Sequence, residues 1–280
     1  MGINKSAVKV FLQEAERRPF TGRLLTLGKQ DVYVTEPTLK KIFSEYRRSL
    51  STKVELNLSS KPDMAKSGFI SDSSLFSTIG FSQIVSMDAS SYEGADYVHD
   101  LNLLSLPDDL KESCDCVFDG GTVEHVFHIP NALSNIFNLL RIGGRIIHIA
   151  PSSNHIDHGF YMFSPTFFWD YYRANGYEIN LCEVFRYTTE LYDGDWLVSD
   201  YVPGGLHRVS MGGLDDALYG VIMIATKTDQ TTCDMIPQQG MYSDDLWKGR
   251  SANGITLRVE DIIDPYHKGK GLGLKIKTRL

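Results

Sequence analysis

An α/β fold built on a parallel sheet is what this sequence predicts, and three observations predict it. Short apolar, β-rich runs alternate with segments of helical periodicity along most of the chain. Several consecutive runs end in glycine or an acid, at Gly28, Asp88, Asp100 and Asp119-Gly120-Gly121. Burying a carboxylate in a core is costly, so a ligand site at the carboxyl edge of the sheet explains those acids better than packing does. Composition agrees: 280 residues, 42% hydrophobic and 22% charged with a net charge of −7, describe a globular chain. A chain of this length buries roughly 75% of its unfolded surface and needs no disulfide or metal staple to fold.

The elements follow in order. Arg23 to Leu27 reads as a strand ended by Gly28. A helix is predicted over Glu36 to Leu50, with Leu39, Ile42, Phe43 and Tyr46 on one face and Pro37 in its first turn. Residues 51–80 read as an insertion or lid. Phe81 to Met87 is the second strand, ending at Asp88, and a short third strand lies near Ala95 to Val98, before Asp100. Cys114 to Phe118 is a strand that runs into Asp119. A helix over Asn131 to Leu140 is expected to be capped by Gly143-Gly144. Arg145 to Ala150 is a strand stopped by Pro151. Pro165 to Asn175 reads as a helix ended by Gly176. Glu178 to Tyr187 and Tyr219 to Thr226 read as an antiparallel pair, with a long loop at 188–218 between them. Residues 1–227 thus form one domain, and 228–280 read as an extended tail, locally basic at Lys268, Lys270, Lys275, Lys277 and Arg279.

Several function classes fall away. The mild acidity argues against a dedicated nucleic-acid binder. Cys114, Cys116, Cys182 and Cys233 contain no CxxC pair, so neither a thioredoxin-like motif nor a zinc ribbon is offered. Cys114 and Cys116 are expected on one side of their strand, buried and reduced. Residues 1–15 are mixed polar with no signal-like apolar run, and no stretch approaches the roughly 20 apolar residues of a membrane span. A cytoplasmic protein is expected.

The segment Phe118-Asp-Gly-Gly-Thr-Val-Glu-His-Val126, a helix, and then Leu140-Arg-Ile-Gly-Gly-Arg-Ile-Ile-His148 resemble the fourth-strand motif and the L-x-x-G-G turn of class I S-adenosylmethionine-dependent methyltransferases. Met87-Asp88 and Ala95-Asp96…Asp100-Leu101 resemble that family's second and third motifs. The resemblance covers residues 20–227. It implies a Rossmann-like, doubly wound, mostly parallel sheet of seven strands, with S-adenosylmethionine as cofactor. It further implies that Asp88 holds the ribose and Asp100 and Leu101 border the adenine. Gly28 and Asp31 would border the methionine part, with Asp119 near the sulfonium and Gly120 also at the cofactor. The first motif departs from the family: Thr26-Leu-Gly28-Lys-Gln-Asp-Val32 holds one glycine where the family prefers three. His155 to Pro165 is similar to an uncharacterised methyltransferase-like subgroup, some members of which are associated with glycan or natural-product pathways. A small polar acceptor is expected, methylated on oxygen or, as the second choice, on nitrogen.

Six of the eight histidines lie between residues 99 and 158. His155 and His158 follow the fifth strand, where an imidazole can take the proton from an acceptor hydroxyl; with Asp119 they are the catalytic candidates. His125/His128 and His155/His158 are two H-x-x-H pairs that could meet Asp119, Glu124 or Asp157 at a metal, but the resemblance places a histidine at His125 in members that bind none, so no metal is expected. His148 reads as a core or face residue. Phe160, Tyr161 and Phe163 are alternatives between core and an acceptor wall, and Tyr192, Asp193, Asp195 and Trp196 could cover its mouth. Two other readings stay open. One is a degenerate, cofactor-free binding or scaffold protein with an oligomeric or protein partner on the 228–280 tail. The other is a metal-dependent enzyme using the His/Asp cluster.

Overall fold

The computed structural model describes residues 2–50, 54–188, 194–240 and 278–279. The chain begins with α1 (Lys5–Arg17), whose N-cap Asn4 accepts the N–H groups of Ser6 and Ala7 at 3.1 and 3.0 Å. Val8, Phe11, Leu12 and Ala15 form its buried stripe. Strand β1 (Arg23–Leu27) leads to α2 (Glu36–Glu45), α3 (Pro62–Lys66) and α4 (Asp72–Ile79). Then come β2 (Gln83–Asp88), β3 (Tyr97–Val98), β4 (Cys114–Asp119), α5 (Ile129–Leu139) and β5 (Leu140–Ser153). The chain continues through α6 (Pro165–Ala174), β6 (Glu178–Tyr187), β7 (Leu197–Asp200), β8 (Leu218–Thr226) and the two-residue β9 (Thr278–Arg279).

Among the described residues these strands form one sheet in the order β3-β2-β1-β4-β5-β8-β6-β7-β9. β1 to β5 pair in parallel, β8 inserts antiparallel between β5 and β6, and β7 and β9 continue antiparallel. One apolar layer packs Phe11, Leu39, Phe43 and Phe76 from α1, α2 and α4 against one face of the sheet. The other packs Leu133, Ile136, Phe168 and Tyr172 from α5 and α6 against the opposite face. This is the doubly wound, mostly parallel fold expected, with its strand order reversing between β1 and β4.

The differences are local and have causes. Nine strands replace the expected seven, because the 188–218 segment contributes β7 and Thr278–Arg279 pairs with it as β9. The 51–80 insertion is partly helical: Ser71 caps α4 through Ser74 N–H. α2 stops at Glu45, and the backbone turns left-handed at Arg47 (φ 53°). Gly143-Gly144 do not cap α5. Leu140 already begins β5, and the pairing jumps from Cys114↔Leu140 to Cys116↔Arg145, so the glycines form a bulge. Lys227 supplies the cap instead, donating from Nζ to the Phe137 and Leu140 carbonyls at 3.0 and 2.7 Å. β5 runs through Pro151, whose missing N–H falls at a register shift against β8. Cys114 packs in one core layer and Cys116 in the other, not on one side. Both are buried and reduced, as is Cys182. The start of the tail is docked: Asn175 accepts from Thr232 Oγ1 and Met235 N–H, both at 3.0 Å, and donates to the Met235 carbonyl. The side chains of the basic cluster from Lys268 to Arg279 lie outside the described residues, and so does His267.

Candidate active site

At the β1/β4 switch point the carboxyl ends of the parallel strands open into a cavity of about 710 Å³, a size that suits a small-molecule site. Gly28 leaves β1 at φ +74°, and a Cβ there would lie 3.1 Å from Thr122 Oγ1. Asp88 ends β2; its Oδ1 accepts Ser90 N–H at 3.0 Å. Its Oδ2 lies beside the Gly28 turn, 3.8 Å from where that Cβ would be. Asp100 follows β3 and is held ionised below the usual carboxylate range by two bonds from Asn102. Leu101 is buried next to it, and Asn135, fully buried on α5, pins this loop through the Leu101 and Leu103 carbonyls. Gly28, Asp31, Asp88, Asp100, Leu101, Gly120, His155 and His158 all line this one cavity.

Asp119 does not line it. The carboxylate is fully buried behind the wall. Its Oδ1 accepts Thr122 and Val123 N–H at 2.9 and 3.2 Å, while Oδ2 lies 2.6 Å from His148 Nδ1. His148 Nε2 continues to the Tyr172 hydroxyl at 2.6 Å. Asp119 therefore fixes the Gly120–Thr122 loop, which does face the cavity, and does not itself line it. The pairing that aligns Asp119 with His148 across β4 and β5 explains this place.

The first loop carries a residue whose role sequence reasoning missed. Gln30 is buried, folds back and donates from Nε2 to the Leu27 and Gly28 carbonyls at 3.0 and 3.2 Å. Its Oε1 has no hydrogen-bond partner among the described residues, and a Cβ at Gly120 would sit 2.5 Å from it. Asp31 is less free than expected: Lys61 bridges it (2.9 Å) to Glu93 (2.8 Å).

At the other end, a short 3-10 turn (Val123–His125) after β4 carries Glu124 and His125, and the turn after β5 carries His155 and His158. Asn154 and Asp157 hold left-handed backbone there (φ 65° and 68°), strain that persists where surroundings enforce it. His155 Nε2 lies 3.1 Å from the Tyr187 hydroxyl. Burial, and the positive charge that His158 would carry, depress the pKa values of His125 and His155; burial alone leads for His158. Glu124 is fully buried, and burial beside Asp119 pushes its carboxyl up to about 8.

The aromatic expectations divide. Phe163 belongs to the core, Phe160 is exposed, and Tyr161 donates to the Phe127 carbonyl at 2.7 Å; none lines the cavity. Trp196 does line it, stacked on Phe185 at 4.0 Å. Asp195 pairs with Lys5, and Tyr192 and Asp193 lie outside the described residues. Gly2 and Asn4 join the wall, which no sequence signal indicated.

No protein-family model matches the chain, nor does any curated protein. Among solved structures it is similar to a SAM-dependent methyltransferase from Thermotoga maritima (16% identity, TM-score 0.37, covering 80% of this chain and 90% of that one). It is similar also to a SAM-dependent methyltransferase from Archaeoglobus fulgidus (16%, TM-score 0.41, 80% and 95%). A third is phosphoethanolamine N-methyltransferase 2 of Haemonchus contortus in complex with S-adenosyl-L-methionine (12%, TM-score 0.41, 79% and 52%). At such identities nothing about activity transfers, and the chemistry has to be read from the side chains. No helix among the described residues is long and apolar enough to cross a membrane.

Proposed function

We propose that this chain is an S-adenosylmethionine-dependent methyltransferase acting on oxygen of a small polar acceptor, a sugar, glycan or natural-product intermediate. One observation carries the reading: Asp88 and Asp100, which follow consecutive strands, line the same cavity as His125, His155 and His158. The wall fits the cofactor. Asp88 can accept from two ribose hydroxyls, and Asp100 from an exocyclic amine beside the apolar Leu101. The unpartnered Gln30 Oε1 suits an ammonium donor at the Gly28 and Gly120 turns, where Asp31 is engaged by Lys61.

When bound, the cofactor supplies an electrophilic methyl group on a sulfonium. The chain's own part is alignment of acceptor and cofactor and removal of the acceptor's proton. His155 is the base: burial lowers its pKa, and the Tyr187 hydroxyl 3.1 Å from Nε2 would turn from donor to acceptor as that nitrogen takes the proton.

Thermal unfolding with and without S-adenosylhomocysteine, checked by calorimetric titration, tests this. Ligand at 100 times its dissociation constant adds about 2.7 kcal/mol, a rise of about 5 °C for a chain of this size. Asp88→Ala is expected to weaken binding at least tenfold, with little change in the free protein's stability. Absence of both shift and heat would overturn the proposal in favour of a cofactor-free binding protein.

A further inference from the structure

Glu124 lies behind the cavity wall, next to the lining residues His125 and His158, and the methyl-transfer reading leaves its burial unexplained. Its side chain is wholly inaccessible, yet neither carboxylate oxygen has a hydrogen-bond partner among the described residues. Native interiors rarely leave such a group unmatched. Two imidazoles stand beside it, and the Asp119 carboxylate is also near. Oε1 lies 3.5 Å from His158 Nε2 and 3.8 Å from His125 Nε2, beyond hydrogen-bond length. The three ligand atoms lie within 4.8 Å of one another. Two ligands on one tetrahedral zinc sit about 3.4 Å apart, from bond lengths of about 2.0–2.1 Å. The group is thus spaced to close on an ion with small side-chain movements.

We infer that Glu124, His125 and His158 form a binding site for a divalent transition-metal cation at the acceptor end of the cavity. Two imidazoles and one carboxylate select zinc, manganese or ferrous iron over magnesium and calcium, which want oxygen ligands. The backbone holds the three together. Phe160 and Tyr161 N–H donate to the Glu124 carbonyl at 2.8 and 3.2 Å. Gly159 presses so closely on Glu124 that a Cβ would meet its carbonyl oxygen at 2.9 Å. This clasp ties the His158 turn, with its two left-handed residues, to the Glu124 turn. His125 and His158 remain about half exposed to the cavity, which leaves coordination positions open to a ligand, as catalytic rather than structural sites do.

The use of the ion rests on the methyltransferase reading. A bound cation would take the acceptor hydroxyl as a ligand and lower its pKa, which favours acceptors with a second oxygen beside the reacting one, such as a vicinal diol. His155 remains to receive the proton at Nε2, the Tyr187 hydroxyl turning from donor to acceptor of their bond.

The full chain, purified without a polyhistidine tag and stripped with chelator, would be titrated with zinc chloride and with manganese chloride by calorimetry. Cobalt would provide a second readout through its visible absorption. One equivalent per chain is expected, with affinity at least tenfold weaker in Glu124→Gln, His125→Ala and His158→Ala. The two histidines are half exposed, so their variants decide the matter if Glu124→Gln fails to fold. No heat from either metal, or binding that the histidine variants leave unchanged, overturns the inference. S-adenosylhomocysteine titrated into the same stripped protein separates the two ideas. Binding of that ligand, with neither zinc nor manganese bound in its own titration, removes only the ion. Metal without that ligand supports the site and removes methyl transfer.

Discussion

Asp119 ends a strand at the ligand edge and yet belongs to the wall rather than the site, and its replacement tests that placement. Asp119→Ala strands three donors: Thr122 N–H, Val123 N–H and His148 Nδ1–H. No water reaches that carboxylate, since it is fully buried. Bonds to a charged group contribute about 1.5–3 kcal/mol each but do not add, and breaking a buried charged network costs about 3–5 kcal/mol. A loss of about 4 kcal/mol lowers the melting temperature by about 7 °C for a chain of this size. Asp119→Asn differs in one atom. Its oxygen still accepts from Thr122 and Val123, its amide donates to His148 Nδ1, and the ring takes its other tautomer toward Tyr172. The cost should be about 1–2 kcal/mol. Urea and thermal unfolding of the free protein measure both. An alanine variant within 1 kcal/mol of the parent would refute the idea that Asp119 holds the loop. A stable Asn variant that binds S-adenosylhomocysteine normally but turns over nothing would return Asp119 to the reacting groups.

Other consequences are cheaper to check. Arg145 Nη1 pairs with Glu14 Oε1 at 2.8 Å, both nearly inaccessible, and the guanidinium covers Phe20 at 4.0 Å. Glu14→Leu should cost about 3–5 kcal/mol in urea unfolding, and adding Arg145→Met should recover at least half. Gly120→Ala puts a Cβ 2.5 Å from Gln30 Oε1 and 2.8 Å from the Phe118 ring. A loss of about 1–3 kcal/mol is expected, partly relieved by Gln30→Ala; an unaltered melting temperature would contradict it. Burial raises the thiol pKa values of Cys114, Cys116 and Cys182. Ellman's reagent at pH 8 should therefore find at most one reactive thiol in the native chain, at Cys233, and four after unfolding.

The sheet was legible where physics writes it locally. Buried parallel strands are continuously apolar and their ligand-facing ends are polar, so the strand ends at Gly28, Asp88, Asp100 and Asp119 could be read off. α1 escaped because its stripe of Val8, Phe11, Leu12 and Ala15 is interleaved with Lys, Gln and Glu and passes for a mixed polar segment. β7 escaped because four residues give too little alternation to count. In the site, position was legible and orientation was not. Whether Asp119 faces a ligand or a histidine depends on its register against β5, a contact 29 positions away. That His125 and His158 converge on Glu124 depends on a clasp between two turns. The fates of Phe160, Tyr161 and Phe163 likewise turn on packing, since the same aromatic run is split between core and surface.

The departure of the first loop from a glycine-rich pattern looks, in the sequence, like a loss. In the structure Gln30 spends its amide N–H groups on the carbonyls of its own turn and leaves an oxygen over. Three glycines give a ligand access by leaving space. One glycine and a folded-back glutamine can give the same turn a fixed acceptor, provided a neighbour gives up its side chain. Gly120 is that neighbour, since any Cβ there meets Gln30 first. The two positions lie on different loops, one after β1 and the other after β4. A bulky residue in the first is matched by the absence of one in the second, so a side chain at position 120 and the folded-back Gln30 cannot both occupy this corner of the cavity.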